Sequence, residues 1–283
     1  MPALSFSRIA APAVVGGVFC LQLGGAIARQ HFEDVGAIGA TFLRLLIAAI
    51  ILMILMRPRM FRWDRSTWLA AVLLGLALGA MNQLIYLAMD RIPLGIAITI
   101  EFLGPLTLAL VQLRRWVEFV WAALALFGVV LIGFQIVDGL DAFGVLLALA
   151  AGACWAGYIL ASANLSRRSK AGSGGLAVSM LVGAIAAAPL GAGDASQALR
   201  DPVLLLIFVA VALMSSVVPY SIELKALRTL PTYVFGVLQS FGPAAGAVAG
   251  YLVLAEALRW QEVVALALVS GASIGISLSA RRR

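Results

Sequence analysis

The stretch IPLGIAITIEFLGP occupies residues 92–105, and the stretch LPTYVFGVLQSFGP occupies residues 230–243. Each has a proline at its second position and ends with a Gly-Pro pair, so the two match at an offset of 138 residues. Proline costs about 3 kcal/mol inside a helix in water, but neighbouring helices in a membrane bundle can satisfy the carbonyl groups that it frees. The matched prolines therefore indicate two copies of one membrane-embedded unit.

The composition is also typical of a membrane protein. Of the 283 residues, 63% are hydrophobic and 12% are charged, whereas soluble domains carry about 25% charged residues. The net charge of +7 could suit nucleic acid, but the basic residues lie between apolar runs, so no nucleic-acid partner is expected. Cys20 and Cys154 lie inside apolar runs and form no CxxC pair, so neither a metal site nor another cofactor is predicted.

Ten apolar runs are candidates for membrane spans, because about 20 apolar residues cross the roughly 30 Å hydrocarbon core as a helix. The runs are apolar all round, which favours helices over barrel strands with their alternating pattern. The first could be mistaken for a signal peptide, but nine similar runs follow it. The predicted spans are 11–28, 36–56, 68–89, 93–113, 117–137, 142–163, 175–193, 203–222, 231–254 and 261–280.

The basic residues predict the direction of these spans. Of the 20 Lys and Arg residues, 15 lie on one side, four lie on the other, and Arg44 alone lies within a span. Cytoplasmic loops carry an excess of Lys and Arg, so both termini are predicted to be cytoplasmic.

The repeat and the spans together predict the fold. Five spans per copy is an odd number, so the second copy must cross the membrane in the opposite sense. Such inverted repeats commonly hold a transported substrate at their shared interface. We therefore predict an all-α integral membrane protein with ten transmembrane helices, in which residues 8–137 and 141–280 form two inverted five-helix repeats.

Glu101 is the sharpest functional candidate in the sequence. It lies near the middle of a predicted span, where a carboxylate costs roughly 2.5–3.5 kcal/mol, and its repeat equivalent is the uncharged Gln239. We predict that Glu101 binds a substrate ammonium group or carries a proton. The alternative is a structural ion pair with Arg44, the other charged residue at mid-depth.

Other polar and aromatic side chains are predicted to line a binding cavity, because pockets combine apolar walls with a few placed polar groups. Asn82 and Tyr86 share one helix face, as do Trp155 and Tyr158. The further candidates are Gln22 and Tyr220 for substrate binding and Glu223 for coupling or gating. The alternative roles are hydrogen bonds between helices for the polar residues and a solvated position beside Lys225 and Arg228 for Glu223.

Short motifs follow one another in a specific order from about Gln22 to Glu256. They are Leu21-Gln22-Leu23-Gly24, Met81-Asn82 with Tyr86-Leu87, Pro93-Leu94-Gly95-Ile96-Ala97, Glu101-Phe102 with Gly104-Pro105-Leu106, Arg114-Arg115 before Phe119-Val120-Trp121, Gly152-Ala153-Cys154-Trp155-Ala156 with Tyr158-Ile159-Leu160, Pro219-Tyr220-Ser221 with Glu223, and the run from Pro243 through Gly250 to Glu256. Together they resemble the threonine/homoserine exporter branch of the EamA-type drug/metabolite transporters.

The resemblance implies ten helices around a central cavity. It also implies export of small amino acids such as threonine and homoserine across the bacterial inner membrane, by alternating access, without ATP and by a monomer in the lipid bilayer. Protons are the candidate coupling ion. The alternative within the superfamily is export of other metabolites or of cationic drugs. One departure concerns Gly242, which stands where the branch often carries an acidic residue, so a role for that carboxylate is not expected here.

Other classes of protein find no support in the sequence. A P-loop needs a Gly-Lys pair followed by Ser or Thr, and the only lysines, Lys170 and Lys225, follow Ser169 and Leu224. The only histidine, His31, lies between two apolar runs, and no catalytic or metal-binding grouping occurs at membrane depth. We therefore expect neither an ATP-driven pump nor an enzyme.

Overall fold

A computed structural model of the chain describes residues 2–110, 119–121, 123–124, 127–128, 140–166, 174–198, 200–226, 238–257 and 259–280. Within these ranges the regular structure is helical and no strand occurs. The helices are α1 (Pro2–Gln30), α2 (Phe32–Met56), α3 (Arg65–Met89), α4 (Leu94–Glu101), α5 (Leu103–Leu110), α6 (Ala142–Ser166), α7 (Gly174–Ala195), α8 (Pro202–Ala212), α9 (Val218–Ala226), α10 (Gly242–Leu254) and α11 (Trp260–Ala280).

Six of the described helices are long and apolar enough to cross a membrane, which confirms an all-α protein with several candidate spans. They are Ala10–Gln30, Phe32–Met56, Arg65–Met89, Ala142–Leu165, Gly174–Ala195 and Pro202–Glu223. Three shorter apolar helices cover Leu94–Leu108, Gly242–Leu254 and Trp260–Ala272. Most of the predicted span 117–137 lies outside the described residues, as do positions 231–237 of span 231–254.

The first matched stretch does not form the uninterrupted helix that span 93–113 predicts. The helix is interrupted at Phe102, between α4 and α5. Pro105 lacks the N–H that would bond the carbonyl of Glu101, four residues earlier, and its ring crowds that carbonyl. The second stretch has the same interruption at Ser240 and Phe241, directly after Gln239 and before Pro243. Both matched stretches therefore break their helix just after positions 101 and 239.

A third proline changes the helix that follows Asp201. This helix is continuous from Pro202 to Ala226, but residues Leu213–Val217 form a π-helical turn between α8 and α9. Pro219 cannot donate a hydrogen bond to the carbonyl of Ser215, four residues before it, so that carbonyl is available to other donors.

The two halves of the chain pack against each other along most of their length. Helix α2 packs on α7, α3 packs on α6 and α7, α1 packs on α9 and α10, and α4 packs on α6 and α10. Glycines allow the closest of these approaches. A Cβ atom on Gly104 would overlap the carbonyl of Gly152, so α5 and α6 meet backbone to backbone.

Large apolar side chains also cover the outside of the bundle. Ile54, Leu55, Leu206 and Leu252 are all more than 60% exposed, while Leu45, Leu52 and Phe208 are completely buried. Apolar exposure over whole helix faces suits contact with lipid rather than water.

Candidate functional site

One cavity of about 90 Å³ lies between the two halves of the chain. Its walls come from α1, α2, α3, α4, α6 and α9, and from the stretch 239–242. All eight residues that the sequence nominated lie around it, namely Gln22, Asn82, Tyr86, Glu101, Trp155, Tyr158, Tyr220 and Glu223. The structure therefore brings together side chains that are up to 201 positions apart in the sequence.

Helix periodicity explains how α3 and α9 supply two facing walls. Met81, Asn82 and Ile85 line the cavity from α3, and their equivalents at the offset of 138 residues are Pro219, Tyr220 and Glu223. All six line the cavity. Residues that match at the 138-residue offset thus line one space, although their side chains differ in polarity.

Aromatic rings close part of this space. The rings of Tyr158 and Tyr220 lie 6.3 Å apart between centroids, and those of Phe102 and Trp155 lie 5.5 Å apart at 77°. The edge-to-face arrangement of Phe102 and Trp155 is favourable because the positive edge of one ring meets the negative face of the other. The rings of Trp155, Tyr158 and Tyr220 line the cavity.

Arg44 is a cavity residue that the sequence nominated only as an alternative partner for Glu101. Arg44 belongs to α2, and its side chain is almost completely buried although it lines the cavity. The guanidinium donates to the Asn82 Oδ1 atom, lies 3.5 Å from the Ser215 carbonyl and sits 4.7 Å from the centroid of the Tyr86 ring. A charged residue at the centre of an apolar span is itself a signal for a functional site.

Glu101 does not form the ion pair with Arg44 that was the alternative expectation. Among the described residues, no ion pair joins the two side chains, although both line the cavity and both are buried. Asn82 contacts Arg44 directly instead, and its amide is neutral.

Glu223 is in a different situation from Glu101. Its Oε1 atom accepts a hydrogen bond of 2.6 Å from Nε2 of Gln239, the repeat equivalent of Glu101. Glu223 is therefore not a freely solvated interfacial carboxylate: it lines the cavity and has a side-chain partner. Gly242 also lines the cavity, and a Cβ atom there would come no closer than 3.7 Å to the Phe102 ring. A side chain at this position would thus begin in ordinary van der Waals contact with that ring.

The donors and acceptors around the cavity suit a small polar molecule held without covalent chemistry. Arginine and amide groups can donate, carboxylates and amide oxygens can accept, and aromatic rings can cover an apolar part. In the described part of the chain, no group of three or more His, Cys, Asp or Glu side chains is placed to hold a metal ion.

Comparisons with known proteins agree with this picture. Residues 142–278 match the model of the EamA-like transporter family. The chain is 41% identical over 264 residues to "Threonine/homoserine exporter RhtA" of Salmonella typhimurium strain LT2, covering 93% of this chain and 89% of the relative. The protein of the same name from Escherichia coli strain K12 is 40% identical over the same coverage. A solved crystal structure matches 98% of this chain and 100% of its own with a TM-score of 0.64, and its 20% identity shows likeness of fold alone.

Proposed function

Because this chain belongs to the EamA-like transporter family, we propose that it exports small amino acids such as threonine and homoserine. Membership makes it a multi-pass membrane transporter and not an enzyme. The observation that carries the substrate proposal is the cavity between the two halves, with its polar and aromatic lining. Its volume is about 90 Å³.

The proposed architecture is ten transmembrane helices in two inverted repeats, residues 8–137 and 141–280. The packing of the described helices supports it. An offset of 138 residues relates α1 to α6, α2 to α7, and α3 to the helix formed by α8 and α9. Under this exchange the contact of α3 with α6 becomes the contact of α1 with α9, and both occur. The contact of α3 with α7 likewise becomes that of α2 with α8.

We place the protein in the inner membrane with both termini in the cytoplasm, on the basis of the uneven distribution of its basic residues. Reporter enzymes fused after Arg283 test this orientation. A reporter that is active only in the cytoplasm should work, and one that is active only in the periplasm should not. Periplasmic activity after Arg283 would contradict the topology.

Since one chain supplies the whole cavity, we also propose that the monomer is the transporting unit.

In this proposal Glu101 receives the ammonium group of the substrate or a proton, and Glu223 acts in coupling or gating. A carboxylate without a cationic partner at mid-depth is available for either role. The charged and titratable groups that face the same cavity are Arg44, Tyr86, Tyr158, Tyr220 and Glu223. The remaining candidates shape the site around the substrate, namely Gln22, Asn82, Tyr86, Trp155, Tyr158 and Tyr220.

Purified protein in proteoliposomes tests the function directly. Radiolabelled threonine and homoserine should be transported, and a pH gradient should change the rate if protons are the coupling ion. Cells that overproduce the protein should tolerate toxic amounts of both amino acids and release them to the medium. Unchanged tolerance together with extrusion of cationic dyes would favour the alternative, drug export.

A further inference from the structure

We propose that Arg44 is the subsite for the α-carboxylate of the transported amino acid. This inference rests on the proposed function and names the chemical feature that the substrate must carry. Arg44 and Glu101 are a buried cation and a buried anion that face one cavity but do not pair with each other in the described structure. An α-amino acid carries the two complementary charges on groups attached to the same carbon atom.

Among the described residues, the hydrogen bonds of Arg44 leave one donor of its guanidinium unused. Nη2 donates to Asn82 Oδ1, and Nη1 lies at the limit of hydrogen-bond distance from the Ser215 carbonyl. The buried Nε has no hydrogen-bond partner in the described part of the protein. A buried donor without a partner is costly, and guanidinium binds carboxylate with two parallel N–H donors. A substrate carboxylate at Nε would supply the missing acceptor and the missing negative charge.

Neighbouring residues hold the guanidinium ready for such a ligand. Asn82 is itself fixed, because its Nδ2 donates to the Leu78 carbonyl over 2.7 Å, so its Oδ1 points toward Arg44. The Tyr86 ring covers one face of the guanidinium at 4.7 Å. Pro219 leaves the Ser215 carbonyl without its usual donor within the helix, which makes that oxygen available to Arg44. Both repeats thus contribute to holding one cation at the cavity.

Ligand-dependent thermal stability of the purified protein tests the subsite, since a ligand that binds only the folded state raises Tm. Threonine and homoserine should raise the Tm of the wild type. Threonine methyl ester and 1-amino-2-propanol, which lack the free carboxylate, should raise it much less. Arg44→Gln should abolish this preference for the free carboxylate. It should also raise the KM for threonine by at least about tenfold, the range expected when a hydrogen bond to a charged group is lost.

The controls separate the outcomes. Arg44→Lys keeps the charge but not the two parallel donors, so a folded Arg44→Lys protein should transport with a raised KM even if Arg44→Gln folds poorly. Arg91→Gln removes an arginine at an exposed ion pair away from the cavity and should leave KM unchanged. Unchanged threonine KM and an unchanged preference for the carboxylate in the Arg44 variants would overturn the subsite. Transport of no amino acid by the wild type would instead overturn the proposed function.

A second cluster of polar groups lies one helical turn from the cavity, where α1 and α10 end and α4 begins. The Glu256 carboxylate pairs with Arg29 through Oε1 and accepts the backbone N–H of Leu94 at 2.8 Å through Oε2. The side-chain amide of Gln30 donates to the Val253 carbonyl at 2.7 Å across the same junction. One carboxylate therefore connects three segments of the chain that each contribute to the cavity.

The geometry points to this cluster as a gate across the outer end of the transport path. Arg29 is four residues beyond the cavity residue Gly25, and Leu94 is four residues before the cavity residue Ile98. Residues four apart share one helix face and lie about 6 Å apart along the axis, so the cluster stands in line with the cavity. The side chains of Arg29 and Glu256 are 20% and 15% exposed, so water can reach this ion pair and separate it.

The space around Gly250 shows how closely the Glu256 carboxylate packs against α10. A Cβ atom on Gly250 would lie 2.6 Å from Glu256 Oε2, and the backbone N–H of Glu256 donates to the Gly250 carbonyl at 3.1 Å. Ala255 adopts a left-handed conformation, with φ of 55°, that turns the chain at the end of α10 and directs Glu256 back. Gly250→Ala should therefore displace the carboxylate while keeping every charge.

Labelling of a single cysteine tests the gate. In a background with Cys20 and Cys154 replaced by Ala, Gly25→Cys places a thiol in the cavity, where a Cβ atom meets only ordinary contacts. A membrane-impermeant maleimide added to whole cells should react slowly with this thiol. Adding Glu256→Gln or Gly250→Ala should speed the reaction at least about threefold, because the closed state loses its stabilising contacts.

Asp141→Asn is the matched control, because it breaks an exposed ion pair away from the cavity and should leave the labelling rate unchanged. Labelling at the wild-type rate in both gate variants would overturn the gate. Faster labelling in Asp141→Asn would also overturn it, since opening would then not depend on this cluster. The outcome is independent of which substrate the protein transports.

Discussion

Two combinations of an arginine and a glutamate differ in the described part of this protein: one forms an ion pair and the other does not. Arg29 and Glu256 lie at the end of the bundle, are partly exposed, and bind each other directly. Arg44 and Glu101 lie at the cavity, are only 3% and 6% exposed, and bind neighbouring neutral groups or no side chain of the described structure. Burial makes pairing more valuable, so the buried charges would be expected to pair first.

The difference indicates what each pair is for. A cation and an anion held apart at mid-depth leave two binding positions for a zwitterion, whereas a paired cation and anion at the end of a path hold helices together. Each buried charge costs roughly 2.5–3.5 kcal/mol on insertion scales, a cost that function must justify.

Replacing Glu101 by Gln should have the largest effect on transport. The substitution keeps the shape and one hydrogen-bonding oxygen but removes the charge that receives ammonium or a proton. We expect threonine transport to fall roughly a hundredfold, as loss of a charged hydrogen bond allows, with residual transport less sensitive to pH. Detergent stability should change little, because Arg44 keeps its contacts with Asn82 and Ser215. A folded Glu101→Gln protein with normal transport would remove the contrast.

Replacing Asn82 by Leu should affect stability more than Glu101→Gln does. Arg44 would lose its side-chain acceptor while remaining buried, at a cost of about 1.5–3 kcal/mol for a hydrogen bond to a charged group. The measurement is the midpoint of thermal unfolding in detergent. Saturating threonine should restore part of the loss, since its carboxylate also compensates the guanidinium. Equal loss with and without threonine would count against a substrate contact at Arg44.

The ion pair of Arg29 and Glu256 should contribute a smaller amount. Partly exposed pairs contribute about 1 kcal/mol or less, so a double-mutant cycle with Arg29→Gln and Glu256→Gln should return a coupling energy near this value. Denaturation in detergent gives the four stabilities. A coupling energy near zero would show that the pair does not hold the outer end closed.

The exposed pair of Arg91 and Asp141 should have the smallest effect. Hydrogen bonds from Arg91 and from the backbone of Phe143 lower the pKa of Asp141. A lowered pKa in the folded state means that the contribution is present at neutral pH and is lost as pH falls through the folded-state pKa. Asp141→Asn should thus leave transport unchanged at neutral pH, and its unfolding curve should approach that of the wild type in acid. A transport defect would contradict a purely structural role.

The sequence could predict eight of the residues that line the cavity because helix periodicity is local information. Asn82 with Tyr86 and Trp155 with Tyr158 share faces at a spacing of three or four residues, and the prolines at 105 and 243 mark the breaks beside Glu101 and Gln239. The contact of Arg29 with Glu256 could not be foreseen in this way, because these residues are 227 positions apart. The separation of Arg44 from Glu101 depends on how α2, α3 and α4 pack, which their periodicity does not determine.

The most direct test is an experimental structure of the purified protein in saturating threonine. The substrate should lie in the cavity with its carboxylate at hydrogen-bond distance, about 3 Å, from Nε of Arg44 and its ammonium group at the same distance from Glu101. A structure in which Arg44 and Glu101 join in an ion pair while threonine lies elsewhere would contradict the account.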